Sequence, residues 1–574
     1  MTGVFPYWFL EQHPKLEVLL LQNNSFTIIQ LPRVVHSLKV LDVSTHEFDG
    51  QLPENIGNIL PNLSHLNLSD NVIQGNLPAS LGEMRRLKFL DISRNNLSGS
   101  LPREFLMGCH SLLILKISHN KFTGQVFSEE ANLTSLGFLM ADNNYFSGIS
   151  VGLLQSVTLR VLDLSNNYLR GVLPSWLGGF NFTYLLVSNN LLEGEIPKNL
   201  FNISSITLMD LSRNKLSGNL PPYFKCDFTA MLFLNDNEFS GSIPNTLLEN
   251  LRALDLRNNN LSGTIPRFVN MSFIQYLLLR ANKLTGHIPK DLCGLSSIKI
   301  LDLANNRLNG PIPSCFNNIP FGKSVENIRD EYILGYDLQW DNELGSYYGS
   351  CVLPPEFDPH YISDLKFIVE FASKSRYDSY TERSSEYMSG LDLSSNELSG
   401  NIPRELGDLQ RMRALNLSHN SLSGLIPGSF SNLTDIESID LSFNMLHGSI
   451  PRGLTKLDYM VVFNVSYNNL SGSIPSEGKF LTLDKTNFIA NPLLCGSALN
   501  KSCDDDDNII DFEESDFPSE DGKTPIDMDI FYWSLAATCG ATWIAFIVFL
   551  SFDSPCRRAW FRMVDAFISF YKCV

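Results

Sequence analysis

An asparagine returns along this chain at a nearly constant interval, and that recurrence restricts the fold more than any other feature. It stands at Asn24, Asn71, Asn95, Asn120, Asn144, Asn167, Asn190, Asn214, Asn237, Asn259, Asn282 and Asn306, and again at Asn396, Asn420, Asn444 and Asn468, with His46 in the one exceptional place. The interval is about 22 to 25 residues. Around each position the pattern is L-x-x-L-x-L-x-x-N-x-L-x-G-x-I-P, as in "LRVLDLSNNYLRGVLPSWLGGF" from Leu159 and "MRALNLSHNSLSGLIPGSFSNL" from Met412. The L-x-L alternation predicts a short strand with leucines inward and the x residues outward. The Asn side chain can pair with backbone groups that a turning chain leaves without partners. Gly tolerates φ > 0 at the turn, and Pro fixes φ where the chain sets off along the convex side. A single repeat cannot bury its own leucines, so the core must come from stacking. The predicted fold is a curved α/β repeat solenoid with a parallel sheet on its concave face.

Repeats of this length and pattern are leucine-rich repeats. They are predicted over residues 1–317, the first one incomplete, and over four further copies in 387–479. The pattern vanishes in 318–386, a stretch rich in Tyr and Asp, which predicts an ordered island rather than a long structureless loop. A cap follows over 480–503. Cys495 and Cys503 are expected to close it with a disulfide, and Cys293 with Cys315, in consecutive repeats, form a second expected pair in an oxidising compartment. Residues 504–529 are an acidic linker. The segment 530–552, "IFYWSLAATCGATWIAFIVFLSF", carries no charge. As a helix it would be roughly 34 Å long, enough for a hydrocarbon core of about 30 Å. Acidic residues precede it, while Arg557, Arg558 and Arg562 follow, so the repeats are expected outside and the tail, 553–574, in the cytoplasm.

The net charge of −18, from 61 acidic and 43 basic residues, argues against nucleic acid as a partner. No H-E-x-x-H, no C-x-x-C and no kinase motif set occurs, so neither a metal nor another cofactor is implied. The nearest phosphate-loop pattern, "GSIPSEGKF", has five residues between Gly472 and Gly478 and Phe480 where Ser or Thr is needed. The turn of the last repeat accounts for it. The chain is not expected to be an enzyme.

The "LSGxIP" signature in "NELSGNIP" and "NNLSGSIP", the island ending "SKSRYDSYTERSSEYMSGLDLSSNELSG", the cap "NPLLCG", the acidic juxtamembrane stretch, the single span and the short basic tail resemble, in that order, a plant leucine-rich-repeat receptor-like protein of the kinase-lacking class. The resemblance implies a cell-surface receptor that perceives an extracellular ligand, in defence or development. It also implies signalling through a separate receptor-like kinase adaptor and co-receptor, whose ectodomain would meet the last four repeats beside the island. At the front, "TGVFP" matches the end of a repeat, and the signal peptide and cysteine-bearing cap of the family are missing from "MTGVFPYWFLEQHPKLEVLL". This predicts an N-terminally truncated product or a mis-set start.

Candidate recognition residues are the outward positions between the two leucines of each strand. From the sixth strand they read Met140, Asp163, Leu186, Asp210, Phe233, Asp255, Leu278 and Asp302. Apolar residues at every second strand are not required for folding, and Arg257 and Arg280 fall on adjacent strands about 4.8 Å apart. One reading is a groove for a peptide-like ligand, with apolar anchors at Phe233 and Leu278 and its acidic group at a guanidinium clamp. The other is a solvated face with Arg257 paired to Asp236 or Asp255. The island's Tyr332, Tyr336, Trp340, Tyr347 and Tyr348 form a second candidate surface, or simply pack the insert onto the solenoid.

Glycosylation sequons lie at Asn23, Asn62, Asn67, Asn96, Asn132, Asn181, Asn202, Asn260, Asn270, Asn416, Asn432, Asn464, Asn469 and Asn500. Those at Asn132, Asn181, Asn202, Asn270 and Asn432 fall where the chain returns from the convex side, whereas glycans at Asn416 and Asn464 would obstruct the concave face. Within the predicted span, Ala536 and Gly540 form one small-x-x-x-small pair, and Ala537, Ala541 and Ala545 continue another, a pattern that lets helices approach closely. Cys556, beside the membrane, is a candidate for acylation, and membrane lipid is an expected partner of the span. The tail is too short for a folded domain, so signalling would be by association. The alternatives are a membrane-anchored binding or decoy protein that does not signal, and a truncated form without function.

Overall fold

Each L-x-L segment forms a short strand, and the strands pair in parallel in chain order, from Val18–Leu20 and Val40–Asp42 to Ser438–Asp440 and Val462–Asn464. Seventeen strands make this sheet, and among the described residues no pairing joins its two ends, so it is open. The structure is a computed structural model and describes residues 2–227, 230–247, 251–267, 273–319, 321, 368–374, 376–381 and 388–503. Register is set by the pattern: Leu139, Leu162 and Leu185 are aligned on neighbouring strands, all fully buried. Each buried leucine contributes about 1.5–3 kcal/mol relative to exposure, and a column of them, with Met209, Ile439 and Phe463 in three places, runs through the stack.

The recurring asparagines form a second column behind the sheet. Asn190 is representative. Its Nδ2 donates to the carbonyls of Leu164, Val187 and Ser188 at 2.9, 3.1 and 3.1 Å, and its Oδ1 accepts from the amide of Leu169 at 2.9 Å. His46 takes the amide of Phe26 on Nδ1 at 3.4 Å in place of the asparagine oxygen. The ladder extends one step beyond the sequence reading. Asn491, inside the cap, accepts from Leu470 and donates to Val465, and the cap strand Leu493–Cys495 pairs with Asn469–Ser473.

Two features of the repeat were not read from the pattern. The x-L-x-G segment is itself a strand, and these strands build further parallel sheets of five and twelve strands. The glycine is required there by its backbone: Gly241 lies at φ 78°, and a Cβ on it would sit 2.5 Å from Oδ1 of Asn219. The convex connections are the second. They are mostly five-residue 3-10 turns entered by a proline, such as Ala79–Glu83 after Pro78 and Lys198–Asn202 after Pro197. Among the described residues, α-helix is confined to Tyr7–Gln12, Ile56–Ile59 and Arg103–Gly108. The α component of the expected α/β class is therefore small, because so short a repeat leaves no length for more than one turn.

The residue before the ladder asparagine is left-handed throughout, usually Asn, Asp, Ser or Arg. In the last repeats it is His419, Phe443 and Tyr467, at φ 53°, 51° and 55°, with the rings stacked at centroid distances of 4.1 Å. Cys293 is bridged to Cys315 and Cys495 to Cys503. Strand Ile300–Asp302 pairs directly with Gly390–Asp392, so the stack continues across the intervening segment as if it were absent. Of that segment the structure describes one antiparallel hairpin, Ile368–Ser373 with Arg376–Thr381. No helix among the described residues is long and apolar enough to cross a membrane. The predicted span, with Ala536, Ala537, Gly540, Ala541 and Ala545, and Tyr332, Tyr336, Trp340 and Asn270 all lie outside the described residues.

Candidate ligand-binding cleft

Besides the outward positions of the sequence reading, between the leucines and two residues further on at Arg257 and Arg280, the concave surface carries one more column. It begins each strand: Phe89, Ile114, Phe138, Val161, Tyr184, Leu208, Met231, Ala253, Tyr276 and Ile300, then Gly390 and Ala414. These residues form an apolar cluster separate from the solenoid core, and Leu186, Phe233 and Leu278 belong to it together with Val369, Phe371 and Met388. The column is small at Ala253, Gly390 and Ala414, with the bulky Tyr276 and Ile300 still between them. Gly390 makes room: a Cβ there would stand 2.4 Å from the Phe371 ring. These small residues in a bulky column were the available sequence signal for a covered patch.

Phe233 and Leu278, expected as exposed anchors, are 5% and 0% exposed. Alternation along the hairpin puts Val369 and Phe371 onto this floor, both fully buried, and this burial accounts for apolar residues at Phe233 and Leu278. Met140 is half-buried and lies outside the cluster. Leu186 is buried and lines the cleft described below.

The two arginines are likewise engaged within the protein. Arg257 donates from Nε to both Asp255 oxygens at 2.9 and 3.0 Å, from one terminal nitrogen to Asp255 at 2.6 Å, and from the other to the Glu370 carbonyl at 2.8 Å. Its side chain is 6% exposed. Arg280 pairs with Asp392 at 3.1 Å and lies over the Tyr377 ring at 4.7 Å. Neither guanidinium forms the exposed clamp of the first reading; pairing of Arg257 with Asp255, the other reading, is what the structure has. Glu370 also reaches Arg213 at 2.9 Å, and at the other end of the hairpin Lys374 pairs with Glu437 at 2.5 Å while its amide donates to Ser438.

The frequent outward aspartates have a local cause. Asp210 Oδ1 accepts from the amide and hydroxyl of Ser212 at 3.0 and 2.6 Å, and Asp91, Asp392 and Asp440 cap their strand ends similarly. Asp in D-x-S is therefore a turn former. The signal was legible as "LDLS". Burial raises the carboxyls of Asp163, Asp210 and Asp302 above the ordinary range. Asp163 rises to about 7, with neighbouring Asp142 adding to the effect, and Asp302 to about 7, with Asp392 adding.

Beside the hairpin the concave face keeps a cleft of about 440 Å³. Its floor includes Asp163, Leu186, Asp210, Phe233 and Asp255, Arg213 and Arg257 contribute to the lining, and Glu370 and Ser379 of the hairpin form a wall.

Over 575 aligned residues the chain is 65% identical to Receptor-like protein 9b of Arabidopsis thaliana, a match taking in 100% of this chain and 61% of that one. The chain is a close homologue of plant receptor-like proteins with leucine-rich repeats. Receptor-like protein 9a of the same plant is 64% identical over 578 residues, covering 100% of this chain and 62% of that one. The chain thus spans about three fifths of the length of the curated relatives it matches. Leucine-rich-repeat families match residues 386–446 and 410–470, and 62–84, 86–106, 158–180, 205–226, 250–270 and 297–319. Among solved structures, the plant peptide hormone receptor RGFR1 in complex with RGF2 is similar at TM-score 0.65 and 25% identity, over 87% of this chain and 78% of that one. So is the ectodomain of the membrane receptor kinase GASSHO1/SCHENGEN3 from Arabidopsis thaliana in complex with CASPARIAN STRIP INTEGRITY FACTOR 2, at TM-score 0.63 and 25% identity, over 87% and 56%.

The sequons of this chain are not equivalent. Asn132, Asn181, Asn202 and Asn432 are exposed on the return from the convex side, and Asn23, Asn260, Asn469 and Asn500 are exposed too, while Asn62 and Asn96 are half-buried. Asn416 and Asn464 are half-buried on the concave sheet, donating to Asp392 and Asp440. Asn67 is 2% exposed, with Nδ2 directed at Asp42.

Proposed function

We propose that this chain is the ligand-recognising part of a single-pass cell-surface receptor that binds an extracellular ligand in the concave cleft beside the hairpin and signals by associating with a separate receptor-like kinase, in defence or development. The observation that carries this reading is the cleft itself: charged and apolar groups alternate on a rigid sheet, and one wall comes from the intervening island. The peptide complexes of the structurally similar receptors support a peptide, with a protein or glycan as the broader class. On this reading residues 530–552 span the membrane with the tail in the cytoplasm, the island's Tyr332, Tyr336 and Trp340 add contacts, and Ala536, Gly540, Ala537, Ala541 and Ala545 pack against the kinase's span. Recognition, not catalysis, is the activity.

The test is co-immunoprecipitation of the tagged full chain with plant receptor-like kinases. The expected result is stable association that Ala536→Leu with Gly540→Leu reduces at least tenfold. Association with no kinase, or association indifferent to that pair, would overturn the signalling arm.

A further inference from the structure

The cleft contains buried carboxylates that pair with no cation among the described residues. In the same outward column Asp91 has Lys116 at 3.8 Å, Asp255 has Arg257 at 2.6 Å and Asp392 has Arg280 at 3.1 Å. Asp163 and Asp210, both lining the cleft, form no ion pair among the described residues. Arg213, the nearby guanidinium, is committed to Glu370 at 2.9 Å and to Asp236 at 3.7 Å. The donors that reach the two carboxylates, the amides and hydroxyls of Ser165 and Ser212 and the hydroxyl of Ser188, are neutral and bring no positive charge. Asp163 is 8% exposed, so water solvates it poorly. In all, four carboxylates face two guanidiniums around the cleft.

We infer that the cleft binds an extended, basic peptide segment whose cationic side chains are three residues apart. This rests on the receptor reading above and names its ligand class. The spacing follows from the sheet. Asp163 and Asp210 stand on strands separated by the single strand Tyr184–Leu186, hence about 9.6 Å apart across the strands. A polyproline-type peptide laid across the strands advances about 3.1 Å per residue, so every third side chain recurs at about 9.3 Å. A β-extended peptide repeats its side chains at about 6.8 Å and falls out of step. Leu186, between the two aspartates, and Phe233 beyond them offer apolar steps to the intervening residues, and two cations neutralise the surplus charge.

The experiment uses the full chain in detergent and a fluorescent peptide, acetyl-Pro-Pro-Arg-Pro-Pro-Arg-Pro-Pro-amide. A control has its arginines two apart, and a second control has glutamates in their place. The expected result is saturable binding, at least tenfold weaker for the two-apart peptide and lost for the glutamate peptide. Asp163→Asn with Asp210→Asn should weaken binding at least tenfold without lowering the thermal midpoint. If that double variant does not fold, the wild-type chain decides: binding must weaken severalfold between 50 and 500 mM salt, because the attraction is between charges. Equal affinity for both arginine peptides, or binding indifferent to salt and to the double variant, would overturn the inference. Kinase association without any binding of the basic peptide would also overturn it while leaving the receptor reading intact, whereas loss of both would remove the reading itself.

Discussion

Arg257→Ala separates a structural arginine from a ligand clamp. The substitution removes three donor contacts to Asp255 and the one to the Glu370 carbonyl. Asp255, 1% exposed, would retain the amide of residue 257 at 3.1 Å. Removing one member of a buried pair costs about 3–5 kcal/mol, because the other charge stays buried. We expect that loss in urea unfolding of the full chain in detergent at pH 7.5, together with faster amide exchange in 368–381. The deficit should depend on pH. Burial already raises the Asp255 carboxyl, and without Arg257 it rises further above its unfolded value. The folded variant then binds a proton that the unfolded chain does not, so the deficit is largest at neutral pH and shrinks as pH falls toward 4. Replacing both partners, Asp255→Leu with Arg257→Met, should cost far less than the single change. A loss below about 1 kcal/mol for Arg257→Ala, or a deficit flat with pH, would refute the pairing argument.

Other expectations follow from packing and protonation. Gly390→Val should collide with Phe371 and undock the hairpin while leaving the repeats folded; limited proteolysis should then cut within 368–381, where the wild type resists. His65, 1% exposed and stacked on Phe89 at 4.2 Å, is held neutral, with burial first and Lys116 second driving its value down to about 3. Stability should therefore fall by about 1.4 kcal/mol per pH unit as pH drops below about 6.5, and His65→Phe should abolish that slope in acid unfolding. Glycopeptide mass spectrometry of the folded, secreted protein should find Asn132, Asn181, Asn202 and Asn432 occupied and Asn67 bare.

The solenoid was legible because its determinants are local and repeated. Leucine spacing, the asparagine and the proline each act within one repeat, and seventeen copies average out exceptions such as His46. The site was less legible because its determinants join distant residues. Arg257 meets Glu370 across 113 positions, and nothing near Phe233 or Leu278 announces that Val369 and Phe371 will cover them. Two clues were nonetheless present. Serine two residues after each aspartate marks a strand-end turn, and the small residues Ala253, Gly390 and Ala414 in an otherwise bulky column mark where something else must fit. The 3-10 character of the convex side was hidden because proline specifies where a turn begins, not how tightly it winds.

The hairpin also sets the mechanics of the arc. It is tied through Glu370 to Arg213 on one side of the inserted segment, and through Lys374 to Glu437 and Ser438 on the other. It runs across the inside of the curve as a string runs across a bow. Flattening the arc would load those ties, and tightening it would relax them, so the hairpin links repeats on both sides of the insertion to the wall of the cleft. A guest wedged against Glu370 draws on the same string.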